Sequence, residues 1–153
     1  MQKNIPNLKK KEATKMKDKS GLFNLTPPKT GTVWDYIHPT QPNYPDTELP
    51  RSFNIDTNAG QIWVHGNATE HIQEEIELGK TKMTAPTMKS INPKFYTQLL
   101  LDDFRNTLNK IISLGYTFGK MYTEGNWEIT IVKDKKGGKN PIVKHAQFLG
   151  WGH

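Results

Sequence analysis

Three short stretches of the chain carry side chains suited to moving protons at a phosphate. His65 and His71 stand six apart in IWVHGNATEHIQEEIELGK, Lys144 and His145 adjoin in PIVKHAQF, and Glu128 and Thr130 alternate in NWEITIV. Imidazole titrates near neutrality, so a histidine suits either the base that takes a proton from a ribose 2′-hydroxyl or the acid that protonates a departing 5′-oxygen. Charge that builds on the phosphorane needs a cation or an N–H group to hold it. These residue types fit metal-independent RNA cleavage, with His71 and His145 as acid and base, His65 as a further candidate, Lys144 and Asn67 on the phosphate, and Glu128 and Thr130 on the substrate.

The elements that must position them follow from periodicity and capping. Ile62, Trp63 and Val64 end a strand at Gly66, and Asn67 with Glu70 forms an asparagine capping box, which predicts a helix from about Ala68 to Leu78, stopped at Gly79. His65 then lies at the strand end and His71 in the second helical turn, close to N–H groups of Asn67 to Glu70 that favour an anion. FNIDT and QIWVH flank Asn58-Ala59-Gly60 as a β-hairpin with a three-residue loop and Gly60 left-handed. Asn92-Pro93 opens a long helix, Pro93 to Leu114, along which Phe95, Leu99, Leu100, Phe104, Leu108, Ile111 and Ile112 recur at three and four before Gly115 closes it. The period then switches to two, and YTFGKMY, NWEITIV and PIVKHAQF predict an antiparallel meander. Strict alternation puts Ile142, Lys144, Ala146 and Phe148 on one face of the last strand and Val143, His145 and Gln147 on the other. Lys144 and His145 therefore serve one site only if a bulge intervenes. The expected fold class is α+β: an N-terminal hairpin and two helices, followed by an antiparallel β-meander packed on the long helix.

Charge and composition divide the chain. Residues 1–20 hold seven lysines against Glu12 and Asp18, and with Pro27-Pro28 following they read as part of a lysine-rich linker over 1–30 ahead of a domain over 31–153. Much of the net charge of +6 comes from this tail. Within the domain, Asp35 to Leu78 carries eight acids and one base, Arg51, whereas Gly79 to the end carries twelve bases and five acids. Four prolines in TVWDYIHPTQPNYPDTELPRSF predict an irregular segment pinned down by Trp34, Tyr36, Ile37 and Tyr44. With no cysteine, disulfides, thiolate metal sites and a cysteine nucleophile are excluded. No apolar run approaches the roughly 18 residues needed to span a bilayer, and the first twenty residues lack the apolar stretch of a signal peptide. Nucleotide-binding glycine loops, the Gly-x-Ser-x-Gly elbow and the His-Glu-x-x-His motif are all missing.

TVWDYI followed by TQP and LPRSF, then NATEH and finally VKHA, resembles the C-terminal toxin domain of bacterial polymorphic toxins, the large secreted proteins used in competition between neighbouring cells. The resemblance covers about Gly31 to Phe148. It implies a domain of the barnase, EndoU, colicin or RelE type of ribonuclease architecture, needing no cofactor. It further implies secretion within a larger effector, delivery to the cytoplasm of a target bacterium, an RNA substrate, and a cognate immunity protein that meets a free monomer. Residue by residue it points at Asn67, Thr69 and His71 in NATEH, with Thr69 joining the substrate contacts, and at Lys144 and His145 in VKHA. Gly66 stands where such domains carry proline, and Glu70 where they carry a basic residue.

Blander readings exist for each feature. His65 also reads as an exposed turn residue, Asn67 first as a cap, Glu74, Glu75 and Glu77 as a solvated helix face, and KDKKGGKN as a soluble turn that could also clamp a nucleic-acid backbone. A zinc site from His65, His71 and an acid is disfavoured, because a separation of six does not stack two side chains on one helical face. Two rival functions stay open: a metal-dependent deoxyribonuclease toxin, and a non-catalytic RNA- or protein-binding module.

Overall fold

A computed structural model of the chain describes residues 29–81, 92–138 and 140–152. All of the expected 1–30 linker but its last two residues, with its transient helix near 8–18, and the polar stretch around Pro86 lie outside these residues. Gly31–His153 forms one compact unit. It contains a short 3-10 turn, Val33–Tyr36, then β1 (Ile37–Pro39), β2 (Phe53–Thr57), β3 (Gly60–Val64), α1 (Gly66–Thr81), α2 (Pro93–Leu114), β4 (Met121–Glu124), β5 (Trp127–Val132) and β6 (Ile142–Phe148).

The class is α+β, with two helices among the described residues and one six-stranded mixed sheet in the order β1-β2-β3-β6-β5-β4. All neighbours are antiparallel except β3 and β6, which run parallel and join the N-terminal hairpin to the meander. Hairpin and meander are thus continuous in one sheet. The proline-rich segment is less irregular than its composition implies: it contributes the edge strand β1 and an isolated bridge between Asn43 and Pro50.

α2 has the bounds its caps predict. Asn92 Oδ1 accepts from Phe95 N–H, Pro93 occupies the first turn, and Gly115 ends the helix with φ of 84°. Its buried face, however, is Tyr96, Leu100, Leu101, Phe104, Leu108 and Ile111, while Phe95 and Leu99 lie 39% and 37% exposed. The stripe is rotated because Tyr96 finds a polar partner, its hydroxyl donating to Glu75 Oε2 of α1 at 2.6 Å, and so can be buried. Asp103 on the same helix accepts from Trp127 Nε1 at 2.9 Å and from Asn126 Nδ2 at 3.1 Å, fixing α2 across the β4–β5 turn.

Several expected boundaries move. The first meander strand is only Met121–Glu124; Tyr116 to Lys120 stand outside it, with Thr117 N–H donating to the Tyr122 hydroxyl. The β2–β3 turn has two residues, Asn58 and Ala59, between the paired Thr57 and Gly60, and Gly60 carries φ of 102°. α1 begins at Gly66 and continues through Gly79 to Thr81, so one glycine costing about 1 kcal/mol does not end a helix already anchored by buried Ala68, Ile72 and Ile76.

One apolar core lies between the helices and one face of the sheet, centred on Phe53, Ile55, Val64, Ile72, Phe104, Trp127, Ile129 and Ile131. The opposite sheet face carries Asn54, Trp63, Glu128, Thr130 and His145, none of them fully buried. Among the described residues no helix is long and apolar enough to cross a membrane.

Candidate active site

The parallel joint in the sheet brings two of the histidines together. β3 accompanies β6 for two residues, Trp63 opposite Ile142 and Val64 opposite Val143. Past Val64 the chain bends into α1, with His65 N–H still donating to Val143 O at 3.1 Å. α1 then packs along β6 where β3 has left it. His71 in the second turn of α1 thereby meets His145, ring centroids 5.5 Å apart and planes at 71°.

Each ring of this pair has its own carboxylate. His71 Nδ1 lies 3.3 Å from Glu74 Oε1, and His145 Nε2 lies 3.1 Å from Glu128 Oε1. These contacts restrict ring rotation and leave His71 Nε2 and His145 Nδ1 without a hydrogen-bond partner among the described residues. Side-chain exposures of 35% for His71 and 26% for His145 leave both rings partly open to solvent. Thr130 stands directly across from His145 in the β5–β6 ladder.

Lys144 reaches the same side through a bulge. Thr130 pairs with His145 but Ile131 with Val143, so Lys144 is the extra residue. Val143 and Ala146 both remain buried although three apart, whereas Lys144 is exposed and His145 half-buried away from the core. Strict alternation fails at this one position, and the failure puts an ammonium next to an imidazole. Among the described residues Lys144 has no ion-pair partner.

His65 has a different task from its neighbours. Its Nδ1 accepts from Asn67 N–H at 3.0 Å, and its carbonyl accepts from Ala68 N–H at 2.9 Å and Thr69 N–H at 3.1 Å. His65 is therefore the cap of α1 and Asn67 an exposed residue inside the first turn, which reverses the capping box expected from Asn67 and Glu70. The same bonds occupy the N–H groups of Asn67, Ala68 and Thr69, so the cationic support of an anion falls to Lys144. A ring nitrogen that accepts from a backbone N–H is unprotonated, which leaves the neutral His65 ring an Nε2–H donor.

Burial and the nearby Lys144 ammonium hold the His65 imidazole below its ordinary range. Because the folded value is lowered, the unfolded chain takes up the proton first. The stability this cap contributes is complete above about pH 6.5, the ordinary imidazole value. It declines as pH falls through that value towards the lower, folded one. Urea unfolding across that window is expected to show a loss in wild type that is reduced in His65→Asn, which caps without titrating; equal losses in both would remove His65 as the cause.

Thr69 is fully buried. Its hydroxyl donates to Arg51 O at 2.6 Å and lies 2.9 Å from the Tyr44 hydroxyl, and the Arg51 guanidinium covers the Tyr44 ring at 4.8 Å. The residue thus anchors the proline-rich segment to α1, on the flank away from β6, and is shielded from substrate. His38 pairs instead with Asp56, 2.9 Å away, and burial that opposes ionisation is outweighed there by hydrogen bonds from His38 and Gln61 that hold the Asp56 carboxyl below its usual range. Sequence reasoning missed Glu74 as the partner of His71, although a spacing of three on a helix is the signal that finds it. It also missed the cap role of His65.

The fold and the site together define an α+β domain with a carboxylate-braced histidine pair at the edge of its last strand. No protein-family model matches the chain, and no curated protein matches it. Among the described residues no three His, Asp or Glu side chains converge as a metal site would require.

Proposed function

We propose that this domain is an interbacterial toxin module that cleaves RNA of a target cell without a metal, with His71 and His145 as its acid–base pair. The contact between those two rings, each with its own carboxylate, carries the reading. One imidazole takes the proton of a ribose 2′-hydroxyl as its oxygen bonds to phosphorus. The other gives a proton to the 5′-oxygen as the bond from phosphorus to that oxygen breaks, leaving a 2′,3′-cyclic phosphate and a 5′-hydroxyl. Lys144 neutralises charge on the phosphorane, and Glu74 and Glu128 orient the rings.

The resemblance of TVWDYI, NATEH and VKHA to polymorphic toxin domains supports the delivery half of the proposal: carriage behind a linker on a secreted effector, action in the cytoplasm of a neighbouring bacterium, and neutralisation by an immunity protein. The acidic half of the chain gives a basic inhibitor a surface to meet.

Purified domain incubated with total RNA and with DNA, each with and without EDTA, tests this. RNA fragments ending in cyclic phosphate, formed equally in EDTA, beside intact DNA are the expected result, since the transesterification needs a 2′-hydroxyl. EDTA-sensitive cleavage of DNA would make the domain a metal-dependent deoxyribonuclease. Intact RNA and DNA throughout would make it a binding module.

A further inference from the structure

We infer that Trp63 is a stacking platform for a nucleobase next to the scissile phosphate, so that the substrate of the His71–His145 site is single-stranded RNA with one base splayed onto the open face of the sheet. The inference rests on the ribonuclease reading and adds the form of RNA that the site accepts.

Trp63 lies on the sheet face opposite the core, since its neighbours Ile62 and Val64 are the buried residues of β3. It is half-buried, not fully covered, and stands outside the group of partly buried hydrophobic residues that pack on the core. The protein nevertheless fixes its indole: Nε1–H donates to Thr40 Oγ1 at 3.0 Å, that hydroxyl is 2.6 Å from Ser52 Oγ, and the ring meets His65 edge to face at 5.2 Å. A large aromatic held rigid where water can reach it loses little entropy when a flat ligand covers it. Asn54 stands beside it in register on β2, half-buried, its amide without a partner among the described residues and so available to a base edge.

Position links this platform to the histidine pair. Trp63 is opposite Ile142, three residues before His145 on β6, a distance of about 10 Å along a strand. That is the reach of one to two nucleotides. Between the two points lie Lys144 and the Nε2–H of His65. Beyond Trp63, whose own N–H donates to Pro141 O at 3.0 Å, the β5–β6 loop adds exposed Lys135 and Lys136. Aromatic surface interleaved with unpaired cations along one path matches a polyanion with splayed bases, and base-on-aromatic stacking is how proteins hold single strands. A duplex keeps its bases stacked on one another and has none to offer.

Binding of a short single-stranded oligonucleotide, 2′-O-methylated so that it cannot be cleaved, tests this with the full chain. Trp63→Leu stays apolar but removes the ring and is expected to bind roughly 5- to 150-fold more weakly than wild type, whereas Trp63→Phe keeps a stacking ring and stays close to wild type. A duplex of the same sequence is expected to bind more weakly than the single strand and to be indifferent to the leucine change. Unfolding midpoints of both variants identify any loss of fold, and the leucine-to-phenylalanine ratio carries the result if both are somewhat destabilised. Equal binding by the leucine and phenylalanine variants, or a duplex bound as well as the single strand, overturns the inference. Failure of the ribonuclease reading looks different: binding stays dependent on Trp63 while no RNA is cut.

Discussion

His71→Ala and His145→Ala are each expected to slow RNA cleavage by roughly 100- to 10,000-fold, and the double variant to lose little beyond the worse single one. The size follows from the geometry. In the proposed reaction each ring supplies one of two proton transfers at opposite ends of the same displacement, and ring centroids 5.5 Å apart suit both to a single phosphate. Two groups that work as a unit do not add, so the double variant is the informative one. Single-turnover cleavage of a defined oligonucleotide by wild type, the two single variants and the double variant checks this. Full multiplication of the two effects would mean the rings act in separate steps. Unchanged cleavage without either ring would end the assignment.

Trp127→Ala is expected to destabilise the domain by about 3–5 kcal/mol, the usual range for a fully buried aromatic. Trp127 is 0% exposed, packs against Phe104 and Phe148 with centroids 5.1 and 5.2 Å away, and donates its Nε1–H to Asp103 on α2. The substitution opens a cavity between the meander and α2 and also takes one of two donors from the half-buried Asp103 carboxylate, leaving that of Asn126. A domain of this size has about 5–15 kcal/mol in total, so the variant should stand near the limit of folding. Trp127→Phe refills most of the cavity without the donor and should cost much less, and the difference between the two in urea unfolding separates packing from the hydrogen bond. A small loss for the alanine variant would show that Phe104 and Phe148 can collapse into the space.

α2 was legible because its signals are local. Asn92, Pro93 and Gly115 are capping chemistry that acts within a turn of itself, and the structure keeps Pro93–Leu114 as read. The joint of the sheet was not legible, since only Trp63 and Val64 pair with Ile142 and Val143 and the partners are far apart in the chain. The bulge was hidden for a related reason: the alternation of Val143, Lys144, His145 and Ala146 is regular as text, and only the ladder with β5 shows one residue too many. For the cap of α1, asparagine outranks histidine in general preference, so Asn67 was the better reading until the strand end placed His65 Nδ1 over its N–H. Thr69 shows the limit from another side. Nothing near it in sequence announces that Tyr44 will close over it.

The strand order has a consequence for when the domain can exist at all. Among the described residues β6 follows every other element yet occupies an interior place, between β3 and β5. A ribosome or a translocation channel that passes the chain from its N-terminus releases this strand after all the others. Until it arrives, the N-terminal strands β1-β2-β3 and the β4–β5 pair are two separate ribbons with open edges. His145 and Lys144 travel on that late strand, so chains without it lack both the tie that completes the sheet and one ring of the histidine pair. Closing the sheet and bringing His145 to His71 are therefore one event.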